Sequence, residues 1–370
     1  MDALRKLPDD SVDSCVTDPP YELGFMGKKW DNSGIAYSVD LWREVLRVLK
    51  PGGHLLSFGG TRTHHRMTCA IEDAGFEVRD CIMWLYGSGF PKSLNVSKAI
   101  DKAAGAERKV VGRRLHPTCT VGASTIDKAS YAHGTNTSAR EWAITTPATD
   151  AAAEWEGWGT ALKPAVEPIC VARKPLAEKT VAANVLEYGT GSININGCRI
   201  PSNQSTVRHN NPTMGFGGCK KPFSGGSENS RWPANVLLDE GAVKLLDAQS
   251  GFSKSGVQTK PFGTGGMWRT TKQMPCGPQY GDSGGSSRFF WCSKPNKQDR
   301  RPYNDHPTVK PTDLLCYLTR LVTPAGGVVL DPFCGSGTTG VACQRERFQY
   351  ILIDKDPHYI DITNRRLRGE

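Results

Sequence analysis

The chain has 370 residues, 38% of them hydrophobic, with 46 Lys and Arg against 37 Asp and Glu for a net charge of +9. That length accommodates one large α/β domain plus an inserted domain, each with its own core. No apolar run reaches the roughly 18 residues that a membrane-spanning helix needs, and the sequence turns polar from residue 5, so no membrane partner is expected and a cytoplasmic location is. The twelve cysteines include no C-x-x-C pair, and Cys15, Cys81, Cys170 and Cys316 sit in apolar stretches, which reads as reduced, packed thiols and no metal site. The charge is uneven: residues 201–300 hold 13 Lys and Arg against 6 Asp and Glu, a net +7, together with Trp232, Trp268 and Trp291. Lys and Arg suit backbone phosphates and aromatics suit exposed bases, so a nucleic-acid polymer is the expected partner, the alternative being a solvated basic surface around a local Trp core.

In chain order, Val12 to Val16 reads as a short strand that runs into Asp18-Pro19-Pro20-Tyr21, a carboxylate, two rigid prolines and an aromatic ring, cage enough for a planar base. The loop from Gly24 to Asp31 follows, its Phe25, Lys28, Lys29 and Trp30 able either to close over a bound base or to pack on the domain. Asp40 to Leu49 has helical spacing, Pro51-Gly52-Gly53 stops it, and Leu55 to Phe58 is a buried strand. A helix over Thr63 to Ala74 and a strand over Cys81 to Tyr86 come next; His64 and His65 are adjacent and point apart on a helix. Residues 87–163 form a long polar loop with a helix at Ser97 to Ala104, preceded by Phe90-Pro91-Lys92 at its rim. The strand Pro168 to Ala172 closes the first half, and glycine-rich turns crowd residues 175–300. The last part alternates again: helix Thr312 to Val322, strand Gly327 to Leu330, helix Thr338 to Arg345, strand Tyr350 to Ile353 and helix His358 to Arg368. Between that strand at 327–330 and helix stands Asp331-Pro332-Phe333-Cys334-Gly335-Ser336-Gly337-Thr338, where a tight strand-to-helix turn lets backbone approach a ligand. Strand, helix, strand at both ends means a parallel sheet covered by helices.

These strings, in this order, resemble the β group of DNA amino-methyltransferases, and in particular prophage-type and orphan bacterial adenine methylases that share the long loop Phe25-Met26-Gly27-Lys28-Lys29-Trp30-Asp31 and the string Gly157-Trp158-Gly159-Thr160-Ala161-Leu162-Lys163-Pro164. The resemblance covers nearly the whole chain. It implies a Rossmann-like methyltransferase sheet with circularly permuted motif order: a catalytic half at 1–174, an inserted target-recognition domain at 175–300 and a cofactor half at 301–370. Family members carry a strand and a Gly before the segment like Asp2-Ala3-Leu4, where this sequence starts, so either the start lies further upstream or an edge strand is lacking.

The resemblance implies methyl transfer from S-adenosylmethionine to an amino group of a base in double-stranded DNA, flipped out because its target atom is unreachable in the stack. Asp18 and the Pro19 carbonyl would accept from the two amino hydrogens, Pro20 would stiffen the turn and Tyr21 would stack on the base. Gly335 and Gly337 would let backbone close on the cofactor, beside Phe333; Asp331, Ser336 and Thr338 would meet its amino group or nearby waters. Asp354 would take the ribose hydroxyls, Asp2 the adenine amino group, and Thr308 and Lys310, in His306-Pro307-Thr308-Val309-Lys310-Pro311, the carboxylate. Lys28, Lys29, Trp30, Lys92, Arg231, Trp232 and Arg269 are the DNA-contact candidates. Adenine N6 is the expected target, since Asp at the first motif position goes with adenine enzymes; cytosine N4, or a DNA-binding relative without activity, is the alternative. Gly335-x-Gly337-x-x-Gly340 alone would also fit a nicotinamide-dependent dehydrogenase, which lacks a use for the basic block. A homodimer and a nucleoid-associated bacterial setting follow from the resemblance alone.

Overall fold

The computed structural model describes residues 1–24, 29–89, 93–115, 141–202, 208–209, 224–225, 230–254, 283–294, 299 and 301–370. These form two compact units, Met1–Ser88 with Ala165–Glu370, and Gly89–Pro164.

The larger unit is built on an eight-stranded sheet. Its strands are β1 (Val12–Thr17), β2 (Leu49–Phe58), β3 (Glu77–Leu85), β4 (Val166–Arg173), β5 (Val236–Asp239), β6 (Trp291–Ser293), β7 (Val328–Asp331) and β8 (Gln349–Leu352), in the order β6-β5-β3-β4-β2-β1-β7-β8. All pairings are parallel except those of β4, which runs antiparallel to both β2 and β3. Successive residues face opposite sides of the sheet. Leu56, Val171 and Val329 therefore join one core, while Leu55, Ala172 and Leu330 join the other. Helices α1 (Val39–Val48) and α2 (His64–Asp73) cover the second core with Trp42, Val45, Met67 and Ile71. Helices α3 (Thr312–Val322) and α4 (Thr338–Glu346) cover the first with Leu314, Leu318 and Ala342. A last helix, α5 (Pro357–Leu367), packs against α4.

This topology fixes where a ligand can bind. From the central pair β1 and β7 the chain leaves in opposite directions, β1 to β2 on one side and β7 to β8 on the other. The crevice beyond the carboxyl ends of such strands is the binding place of open α/β sheets. Asp18-Pro19 and Asp331-Pro332 both stand at that edge.

Two expectations differ from the structure. Pro51-Gly52-Gly53 does not separate helix from strand; β2 starts at Leu49 and runs through it, its register with β1 shifting between Val12 and Ser14. Gly52 absorbs the irregularity at φ +81°, and a Cβ there would lie 2.6 Å from Asn184 Nδ2. Within 175–300, β5 and β6 are strands of the main sheet, β5 pairing with β3. The stretch read as a long loop is itself a compact unit. It holds a helix (Val96–Ala103) and a hairpin (Val110–Leu115 with Glu141–Thr145), gathered by buried Asp101, which accepts from Arg108 Nη1 (2.7 Å), the Ala148 and Thr149 amides (3.0 and 3.1 Å) and Thr149 Oγ1 (2.8 Å). Burial works to raise the Asp101 pKa, but these donors outweigh it and hold the carboxyl below the ordinary range.

Candidate active site

β1 is buried along its whole length, so its carboxyl end is rigidly placed and the turn at Asp18 is delivered to one position. Asp18 Oδ2 accepts from Lys310 Nζ at 2.5 Å. Its Oδ1 is buried and has no hydrogen-bond partner among the described residues. Lys310, on the segment entering α3, is itself nearly buried, 3.4 Å from Glu167 Oε2 at the start of β4. Its ammonium stands 5.3 Å from the Tyr21 ring centre and 5.0 Å from that of Phe58. The Tyr21 hydroxyl donates to the same Glu167 oxygen at 2.9 Å, and its carbonyl accepts from Thr63 Oγ1 at 2.6 Å. Burial, then the charges of Asp18 and Glu167, push the Tyr21 pKa well above its ordinary value, so it remains a phenol. Burial works to lower the Lys310 pKa, but the same two carboxylates more than offset it and the ammonium stays charged. Beyond Tyr21 the chain is clasped by Asp31, which accepts from the Glu22 and Leu23 amides (3.0 and 3.3 Å), while Glu22 accepts from the Gly34 amide at 2.8 Å.

The second corner is built differently. Asp331 is buried; Oδ1 accepts from Thr17 Oγ1 (2.7 Å) and the Phe333 amide (3.1 Å), and Oδ2 from Thr339 Oγ1 (2.6 Å). Thr17 belongs to β1, so this carboxyl ties the two corners together. Burial drives its pKa up to about 6 against those hydrogen bonds. Gly335 and Gly337 have φ of +49° and +76°, the left-handed region that glycine adopts without cost. A Cβ on Gly335 would lie 2.8 Å from His306 Nε2, and one on Gly337 2.6 Å from Thr363 Cγ2. Asp354 Oδ2 accepts from the Gly335 amide at 2.9 Å and Oδ1 from the Asp356 amide at 2.9 Å. Arg366, buried on α5, donates to the Ser336 carbonyl (2.7 Å), Ser336 Oγ (3.1 Å) and Thr338 Oγ1 (3.0 Å), while Thr363 Oγ1 donates to the Gly335 carbonyl (2.9 Å). With their lone pairs turned to the guanidinium, both hydroxyls keep a hydrogen to give away. His306 packs edge-on to Tyr359 at 4.5 Å, and burial lowers its pKa, leaving a neutral ring.

The sequence matches the DNA methylase family, N6_N4_Mtase, over residues 12–365. The chain belongs to that family. Among characterised proteins it is similar to the type II methyltransferase M.Cfr9I of Citrobacter freundii, 41% identical over 92 residues, which are 24% of this chain and 29% of that protein. It is also similar to the type II methyltransferase M2.DpnII of Streptococcus pneumoniae, 36% identical over 89 residues, 24% of this chain and 33% of that protein. The alignments thus span about a third or less of those relatives' length. Among solved structures, the PvuII DNA methyltransferase (cytosine-N4-specific) aligns over 99% of this chain and 89% of its own, at 14% identity and a TM-score of 0.43.

Of the residues singled out in the sequence, Asp18, Tyr21 and Lys310 meet, as do Gly335, Ser336, Gly337, Thr338 and Asp354. Lys310 stands at Asp18, where the sequence placed it at the cofactor carboxylate. Asp331, expected at the cofactor's amino group, has its oxygens engaged by protein donors. Asp2 is exposed and 3.6 Å from Arg5. Thr308 meets the His306 ring through its backbone, its carbonyl 3.1 Å from Nδ1. Arg231 donates to the Arg288 carbonyl at 3.0 Å and covers the Phe289 ring at 5.0 Å. Trp232 is 66% exposed, with Arg199 5.4 Å from its ring centre. Lys28, Lys92 and Arg269 lie outside the described residues, and Lys29 and Trp30 begin the short 3-10 turn Lys29–Asn32. Glu167, Thr17, Thr339, Thr363 and Arg366 were not singled out in the sequence. Glu167 alone carried a signal, an acidic residue just before the apolar run Pro168 to Ala172.

Proposed function

We propose that the protein is an S-adenosylmethionine-dependent DNA methyltransferase that methylates the exocyclic amino nitrogen of a base flipped out of duplex DNA, adenine N6 in the first place and cytosine N4 as the alternative. The observation that carries this is the buried, unpartnered Asp18 Oδ1 beside a glycine corner that side chains would fill. A buried carboxylate oxygen without a donor is costly, and an amino hydrogen of the target base would satisfy it.

The glycine corner fits the cofactor. Gly335 and Gly337 supply close backbone, Ser336 and Thr338 supply hydroxyl donors oriented by Arg366, and Phe333, Asp354, Thr308 and Asp2 are the further candidates to hold it. The bound cofactor supplies a methyl group on a sulfonium, an electrophile with a neutral leaving sulfur. The work of the protein is then to make the amino nitrogen nucleophilic, since its lone pair is conjugated with the ring. Asp18 and the Pro19 carbonyl accept from its two hydrogens and localise that pair on nitrogen, and Asp18 stands ready for the proton that nitrogen sheds once the N–C bond forms. This is positioning and electrostatics, with no covalent enzyme intermediate. Tyr21 offers a ring face to the base. The DNA contacts are proposed to come from residues 201–300, with their net +7, and from the separate candidates Lys28, Lys29, Trp30 and Lys92, and a homodimer is part of the proposal from resemblance.

Incubating the full chain with duplex DNA and cofactor, followed by nucleoside mass spectrometry, tests the reading. N6-methyladenine is the expected product. N4-methylcytosine would move the assignment to the alternative, and no methylated nucleoside would overturn the activity.

A further inference from the structure

Two carboxylates, Asp18 and Glu167, share one ammonium, and their distances to it are unequal: 2.5 Å for Asp18 Oδ2 and 3.4 Å for Glu167 Oε2. Resting on the methyltransferase reading above, we propose that Lys310 is a displaceable cap on Asp18, handed over to Glu167 when the amino group of the target base arrives. Lys310 and Glu167 are then positioning residues for Asp18, which touches the reacting nitrogen.

Three observations support the exchange. Lys310 sits on Oδ2 and leaves Oδ1 to the amino hydrogen, so in the base-free protein its charge offsets that of the carboxylate the amino group will meet. The receiving oxygen, Glu167 Oε2, is already held by the Tyr21 hydroxyl at 2.9 Å and needs no rearrangement to accept a second donor. The ammonium sits over the Tyr21 and Phe58 rings at 5.3 and 5.0 Å, so cation–π attraction holds it throughout a shift of about an ångström. A flexible four-carbon stem with three rotatable donors suits such a movement better than a planar guanidinium would.

The consequence is chemical. A carboxylate bound to an ammonium attracts the amino hydrogens of a base less strongly than a free one. Moving the cation to Glu167 returns the full negative charge to Asp18 when the base needs it. Glu167 should therefore act through Lys310 in a variant that keeps an acceptor for the Tyr21 hydroxyl, as glutamine does.

A double-mutant cycle in the full chain tests this. Glu167→Gln leaves Lys310 without its second site, so kcat/KM for duplex DNA should fall about tenfold, with cofactor affinity unchanged. Lys310→Met removes the cap, and adding Glu167→Gln to it should change kcat/KM no further. A purely structural role for Glu167 would give the same loss in both backgrounds, and that result would overturn the proposal, as would a Glu167→Gln enzyme with unaltered kinetics. Lys310→Arg, which keeps the charge but not the mobility, should fold like the wild type and have a lower kcat, because the cation stays on Asp18. A second readout needs no turnover: the 15N resonance of the Lys310 ammonium should move in both Asp18→Asn and Glu167→Gln. A response to Asp18→Asn alone would mean that the ammonium is not shared, overturning the cap. If the wild-type chain methylates no DNA, the methyltransferase reading fails, and this resonance still decides whether Lys310 is shared.

Discussion

The two Asp-Pro corners of the sheet have the same dipeptide at the ends of adjacent parallel strands, yet their carboxyls are treated in opposite ways. Asp331 is saturated: Thr17, Phe333 and Thr339 all donate to it. Asp18 has one oxygen on a cation and the other buried with no donor among the described residues. A saturated buried carboxyl is a structural joint, whereas a half-satisfied one keeps capacity for a ligand. The difference comes from the groups that reach each carboxyl. The neighbours of Asp331 bring hydroxyls, while those of Asp18 bring Lys310 and Glu167.

The comparison breaks most sharply at Asp18. Asp18→Ala should lower methyl transfer by about 10³-fold or more while DNA and cofactor binding persist, because the loss falls on the reacting nitrogen. Single-turnover rates set beside equilibrium binding would check it. Near-normal turnover would remove Asp18 from the chemistry and leave the two corners equivalent.

Asp331 should instead appear in folding. Its pKa is raised from 3.8 to about 6, so its contribution to stability is fully present below about pH 4 and is lost as pH rises through about 6. Buried His54 on β2 works in the opposite sense. Burial, with Arg173 and Arg79 adding to it, lowers its pKa from 6.5 to about 4, so its contribution is present above pH 6.5 and is lost as pH falls through about 4. Each is a change in proton affinity of roughly a hundredfold, which amounts to about 3 kcal/mol. Urea unfolding of the wild type between pH 4 and 7 should show the two largely cancelling. Asp331→Asn should then reveal a loss of stability on acidification, and His54→Asn a gain.

How much of this was legible in the sequence follows from the range of each interaction. The strands read at 12–16 and 327–330, helix α3 and the glycine turn of the second corner are local, written in periodicity and turn chemistry, and the structure has the two strands within one residue of those bounds, at Val12–Thr17 and Val328–Asp331. The strand through Pro51-Gly52-Gly53 was not legible, because pairing with β1 and the backbone bonds of Gly52 and Gly53 with Lys174 hold that segment in the sheet, and all of these partners are distant in sequence. β5 and β6 are four and three residues long, too short for an apolar period to stand out among glycine-rich turns. The shared ammonium of Lys310 joins residues 292 positions apart. No local pattern encodes it.

Gly337 gives a smaller effect at the second corner. Gly337→Ala puts a Cβ in the left-handed region and 2.6 Å from Thr363 Cγ2, and turning Thr363 away would break its bond to the Gly335 carbonyl. The cost should be about 1–3 kcal/mol, seen as a lower melting temperature together with weaker cofactor binding. A variant with unchanged cofactor affinity would mean that the glycine corner is not the cofactor loop.

The mildest change, Asp354→Asn, sets the two corners against each other most directly. Both Asp354 oxygens accept from backbone amides, those of Gly335 and Asp356, at 2.9 Å. An asparagine can accept from only one of them, and its NH2 would face the other amide donor to donor. The misfit should cost about 1–2 kcal/mol, and because Gly335 carries it, the cost should fall on the shape of the glycine corner. Titration calorimetry should show cofactor affinity reduced about tenfold, an effect of that same size, and kcat at saturating cofactor should stay near the wild-type value. Were kcat to fall with affinity unchanged, Asp354 would be acting on the reacting groups, and the division of labour between a cofactor corner and a chemical corner would not hold.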